Sequence, residues 1–128
     1  MSVVATCLAI AIFYESKGEP IKGQQAVAEV ILNRSKHPSY PKDPCDVIRQ
    51  KGQFSWYNKN ISLNKPPSLI YKNAQYEKHW ETAKKVAAQS LNNKTNHTKG
   101  AVFFNTRALG VRYKTKTTPC IISNHIFY

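Results

Sequence analysis

The chain has 128 residues, enough for one domain with a buried core, and its 41% hydrophobic content with scattered Trp, Tyr and Phe excludes a disordered polymer. Nineteen Lys and Arg face seven Asp and Glu, a formal charge of +12. Such a surface attracts polyanions, and nucleic acid, anionic membrane and anionic cell wall all fit it.

Residues 3–16 read as a buried helix with Ser2 as N-cap. Their apolar run is shorter than the about 20 residues a bilayer span needs. It also lacks the basic start and small-residue cleavage site of a signal peptide, so a protein made in the cytoplasm without stable membrane insertion is expected. Gly18 and Pro20 stop this helix, and Pro20 suits the first turn of a second one running to about Ser35. That helix carries an apolar stripe of Val27, Val30 and Ile31, with Gln25, Glu29 and Asn33 on a face expected to meet solvent. Three prolines between His37 and Pro44 predict a loop, and Asp43-Pro44 predicts the start of a short helix closed by Gly52. Residues 53–73 read as an irregular surface segment. Residues 74–91 form the clearest amphipathic helix, with Tyr76, Trp80, Ala83, Ala87 and Leu91 on one face and Glu81 placed to pair with Lys85. After a polar loop come three strand-like runs, AVFFN, VRYK and CIISNHIFY. Helices followed by a small C-terminal sheet give an α+β fold, one domain over residues 1–128.

Few groups offer chemistry. The chain has no Gly-rich phosphate loop, no H-E-x-x-H and no G-x-S-x-G, and Cys7, Cys45 and Cys120 contain no C-x-x-C pair. Neither a cofactor nor a metal is expected. An odd cysteine count fits either three reduced structural thiols or one disulfide with a spare thiol. Among the acids, Asp43 and Asp46 suit a helix start, while Glu77 and Glu81 sit on a lysine-rich face. Glu15 and Glu19 remain, at the break between the first two helices. Glu15 shares a helix side with Val4, Leu8, Ala11 and Ile12. Partial burial there would disfavour its charged form and raise its pKa, as a general acid requires. The same periodicity equally allows the helix to end at Tyr14 with Glu15 in water.

The stretch YESKGEPIKGQQAVAEVILNRSKHPSYP resembles the signature of the SleB-like cell-wall hydrolases, and GQFSWY (52–57), GAVFFN (100–105) and NHIFY (124–128) follow in the family's order. The resemblance implies a small lysozyme-like domain that cleaves the β-1,4 bond between N-acetylmuramic acid and N-acetylglucosamine. It makes Glu15 the catalytic acid and Glu19 a helper or the cap of the second helix. It places Gln53, Phe54, Ser55 and Trp56 along the sugar cleft, with Phe54 leaning to the core, and adds Tyr14 and Asn105 as further cleft residues. His125 is read as structural. Lys17 stands where the family commonly has arginine, and Glu29 where it has a small residue, which marks Glu29 for testing as a second acid/base group.

These expectations converge on a monomeric peptidoglycan-degrading glycosidase of the endolysin type, acting on the wall after release. A single-glutamate lytic transglycosylase needs fewer acids than a two-carboxylate hydrolase, and this chain has few to spare. The competing class is a basic nucleic-acid-binding module, which accounts for the charge but not for Glu15 or the ordered blocks.

Overall fold

Ser2 starts the first helix as expected: its Oγ accepts a hydrogen bond from the Ala5 N–H at 3.0 Å in the computed structural model, which describes all 128 residues. Helix α1 spans Val3–Ser16 and is buried on every side between Cys7 and Phe13. A helix apolar all round belongs at the centre of a domain, and the other three helices surround α1. Gly18 follows in the left-handed region at φ 81°, which ends the helix without side-chain strain.

Helix α2 spans Ile21–Ser35, with Pro20 just outside as its N-cap. Helix α3, Pro44–Arg49, begins on the anticipated Asp43-Pro44 pair, and the Asp43 carboxylate accepts from the Cys45 N–H at 2.8 Å. A 3-10 turn covers Ser68–Tyr71 within the otherwise irregular segment. Helix α4 spans Ala74–Asn92, capped by Asn73, and buries Trp80, Ala83, Val86 and Ala87. Leu91 is exposed instead of buried, and Glu81 pairs with Lys84, not Lys85, at 2.8 Å. None of the helices is long and apolar enough to cross a membrane.

Three short antiparallel strands complete the α+β fold: β1 (Phe104–Thr106), β2 (Cys120–Ile122) and β3 (His125–Phe127), in the order β1-β3-β2. CIISNHIFY is therefore a hairpin and not one strand. It reverses at Ser123, whose φ of 55° suits a tight two-residue turn. The run VRYK forms no strand; Val111 and Tyr113 lie exposed in the loop between β1 and β2. The central strand places His125 opposite Thr106 and Ile122, within reach of Glu19 in the connection between α1 and α2.

Cys7 and Cys45 form a disulfide that ties α1 to α3, with Cα atoms 5.7 Å apart, and Cys120 is free. One bridge plus a spare thiol is thus the arrangement present. Burial pushes the Cys120 thiol pKa up, which favours the protonated thiol over the thiolate.

The polar stripe of α2 departs from expectation. Glu29 is 1% exposed and does not face solvent. Residues 94–101 fold over the stripe and take it as a track. Glu29 accepts from the Thr95 hydroxyl, the His97 N–H (2.9 Å), and the Thr98 N–H (2.9 Å) and hydroxyl (2.8 Å). Gln25 pairs with His97 at 2.8 Å, and Asn33 donates to the Ala101 carbonyl at 2.9 Å while accepting from Lys94. Burial alone would raise the Glu29 pKa, but these bonds to its charged form outweigh it and the net shift is downward.

Candidate active site

The last turn of α1 carries Tyr14 and Glu15 out of the core. Glu15 is half-buried, and the Trp56 indole Nε1–H donates to its Oε1 at 2.9 Å. Trp56 in turn stacks on Tyr14, ring centroids 4.8 Å apart and 15° from parallel. Two aromatic rings and one carboxyl therefore form a single unit, assembled across 41 residues of sequence.

Burial is the main influence on Glu15 and raises its pKa. The Trp56 bond and the positive fields of His125 and Arg34 work against that rise, while the neighbouring Glu19 adds to it. The net result favours a protonated carboxyl, the form a general acid needs before reaction.

Glu19 lies in the α1–α2 connection, and its Oε1 sits 3.3 Å from Nδ1 of His125 on β3. Both side chains are largely enclosed, at 13% and 12% exposure. His125 packs against the stacked pair Phe104 and Phe127, with ring centroids at 5.4 and 6.1 Å. Glu19 does not cap α2 through its side chain, since no side-chain cap bond is present there. Its carbonyl instead accepts from the Gln24 side chain at 3.0 Å.

The remaining cleft candidates divide. Gln53 and Ser55 are exposed beside Trp56 in the chain, free of side-chain hydrogen bonds. Phe54 is buried, packed near Trp56 (5.7 Å) and Phe104 (6.4 Å), so its faces meet protein instead of the open cleft. Asn105 commits its amide hydrogens to the Gly110 carbonyl (2.9 Å) and the Tyr128 hydroxyl (2.7 Å), bracing the turn after β1. Glu29 belongs to the buried loop-docking network and not to this centre.

Sequence reasoning passed over Arg34. It is 5% exposed, boxed by Tyr40, Phe54 and Phe103 with its guanidinium carbon 5.2 to 5.9 Å from their centroids, and it donates to the Val102 carbonyl at 2.7 Å. A signal existed: Arg34 continues the stripe of Val27, Val30 and Ile31 at helical spacing. The Trp56–Glu15 bond and the Glu19–His125 pair left no comparable trace, because nothing local links residues so far apart.

Comparison with known proteins identifies the fold and the family. The cell wall hydrolase family (Hydrolase_2) matches residues 18–128, which covers Glu19, Trp56 and His125 and begins just after Glu15. Spore cortex-lytic enzymes of Bacillus subtilis and Halalkalibacterium halodurans are each 44% identical over 48 residues, 38% of this chain. The matched segment is only 16% and 14% of those proteins' length. The catalytic domain of the germination-specific lytic transglycosylase SleB from Bacillus anthracis superposes with a TM-score of 0.68 at 27% identity, covering 99% of this chain and 94% of that one. The catalytic domain of the Bacillus cereus SleB protein gives 0.65 at 28%, covering 98% and 88%. These structural matches include α1, so Glu15 lies inside the shared fold. With the family match extending over all but the first helix and its exit, this chain belongs to the cell wall hydrolase family.

Proposed function

We propose that this chain cleaves the β-1,4 bond between N-acetylmuramic acid and N-acetylglucosamine in bacterial peptidoglycan, as a lytic transglycosylase with Glu15 as its acid and base. The observation that carries the reading is the half-buried Glu15 carboxyl held at one oxygen by Trp56. An indole N–H can only donate, so Oε1 serves as its acceptor, and Oε2 is the oxygen left free to carry and deliver the proton. Glu15 Oε2–H protonates the leaving glycosidic oxygen. The resulting carboxylate takes the proton of the muramic C6 hydroxyl as that oxygen attacks C1, which closes a 1,6-anhydro ring without consuming water. The Arg34 and His125 fields favour the transient carboxylate.

A two-carboxylate hydrolase would need a second free acid about 5 Å or about 6.5–9.5 Å away. Glu29 is consumed by the 94–98 loop, and Glu19 is engaged by His125. Glu19 therefore acts as a positioning residue, fixing the helix-to-helix connection beside Glu15. Its electrostatic reach to Glu15 supports the runner-up, hydrolysis in which Glu19 helps a water.

Tyr14, with Trp56 stacked on it, offers ring area suited to the apolar faces of pyranose sugars, and exposed Gln53 and Ser55 offer polar partners. The +12 charge would hold a small monomeric enzyme on an anionic wall, consistent with an endolysin-type role after release from the cytoplasm. Glu15→Gln tests the assignment: with folding verified, it should lose peptidoglycan-clearing activity by at least about a hundredfold, the scale on which general acids contribute. Clearing at the original rate would overturn the assignment, and a gel shift with duplex DNA run alongside would then test the nucleic-acid alternative.

A further inference from the structure

Beside the acid centre lies a groove of about 370 Å³ of which the catalytic reading uses only Tyr14. Its floor is Ile10 and Tyr14, one helical turn apart on α1, so it abuts the Tyr14–Trp56 stack directly. Its far wall is the irregular segment 60–71, including Ile61, Lys65, Pro67 and Tyr71. That wall is preformed. Leu63 is buried in the core, Ile61 and Ile70 pack against it, and Asn58 and Ser62 close local turns onto the Asn60 and Asn64 N–H groups at 2.8 and 3.1 Å.

Lys65 is the single charged side chain lining the groove. A peptide-bearing glycan strand offers it no carboxylate, because the muramic lactyl carboxyl is amide-linked to the stem peptide. Free carboxylates of the polymer lie on that peptide, at its acidic side chains and its C-terminus. Proline and tyrosine walls suit an extended peptide, and the groove's size falls within the range of ordinary ligand clefts.

We infer that the groove between α1 and segment 60–71 is a stem-peptide subsite, in which Lys65 receives a peptide carboxylate while the attached sugar lies over the Tyr14–Trp56 stack. The subsite makes cleavage sensitive to the peptide on the muramic residue. It rests on the glycosidase reading above.

The test compares glycan strands bearing stem peptides with the same strands stripped by an amidase, for the wild-type protein, Lys65→Ala and Lys65→Glu. An exposed ion pair predicts that kcat/KM on peptide-bearing strands falls about two- to fivefold in Lys65→Ala, with a larger loss in Lys65→Glu. The loss should be confined to those strands. Equal losses on stripped strands would show that the groove holds sugar, and no loss on either would show that Lys65 binds nothing; both overturn the subsite. Titrating the free stem peptide into labelled wild-type protein reads the groove without turnover. Amide shifts confined to residues around 60–71 support the subsite, and their absence rejects it even if Glu15 is sound. Failure of wild-type protein to cleave either strand would instead reject the glycosidase reading.

Discussion

The Trp56 indole nitrogen stands 2.9 Å from Glu15 Oε1, and this bond orients the carboxyl and tempers the rise in proton affinity that burial imposes. It favours the carboxylate, so removing it raises the Glu15 pKa further. Trp56→Phe keeps an aromatic ring against Tyr14 and deletes only the N–H. The loss of one hydrogen bond to a charged group predicts a fall in kcat of about 10- to 100-fold. The alkaline limb of the kcat/KM profile should move to higher pH, because the protonated acid survives further. A pH–rate series checks this, and a limb that stays in place would remove Trp56 from the mechanism.

Glu15 should also weaken the fold that carries it. Its pKa is raised on folding, so its contribution is fully present below the unfolded value, about 4.3, and is lost as pH rises through the folded value. Glu15→Gln removes an ionisation that the folded state resists. The variant should therefore melt higher than wild type near pH 7, with the difference closing toward pH 4. Thermal melts at the two pH values measure it, and a lower melting temperature at neutral pH would contradict the burial argument.

Glu29 predicts the opposite dependence. Its pKa is lowered on folding, so its contribution is present above the unfolded value and lost as pH falls through the folded value. Glu29→Ala strands buried donors of Thr98 and His97, at about 1–3 kcal/mol for each group left unpaired. The variant should be destabilised at neutral pH, with the deficit shrinking in acid. Glu29→Gln should keep turnover per folded molecule. Loss of turnover in a fully folded Glu29→Gln protein would restore Glu29 as a second acid/base group.

The Cys7–Cys45 bridge closes a loop with a sequence separation of 38 and joins the central helix to α3. Chain entropy assigns it about 2–4 kcal/mol. Cys45→Ala, or full reduction, should lower the denaturation midpoint accordingly while leaving the acid centre formed, because neither cysteine touches it. An unchanged midpoint in denaturant would show that packing alone fixes α3.

Much of the scaffold was legible because its boundaries are written locally. Ser2 and Asp43-Pro44 cap helices through their own neighbours, and Gly18 ends one through its own backbone. The failures share a cause. Gln25, Glu29 and Asn33 read as a solvent face, because the loop that covers them lies about 70 residues away. VRYK carries a strand's alternation but finds no partner strand, and alternation without a partner builds nothing. At the candidate site Glu15 could be singled out by position, since it lies in the last turn of the most deeply buried helix. The indole that holds it and the histidine that engages Glu19 are brought there only by tertiary packing.

The central claim is that one carboxyl acts first as acid and then as base, with no water entering the product. Mass spectrometry of the muropeptides released from purified peptidoglycan tests it directly. The account predicts muramic ends carrying the 1,6-anhydro ring; ends that have gained the elements of water would contradict it and give Glu19 a part in the chemistry.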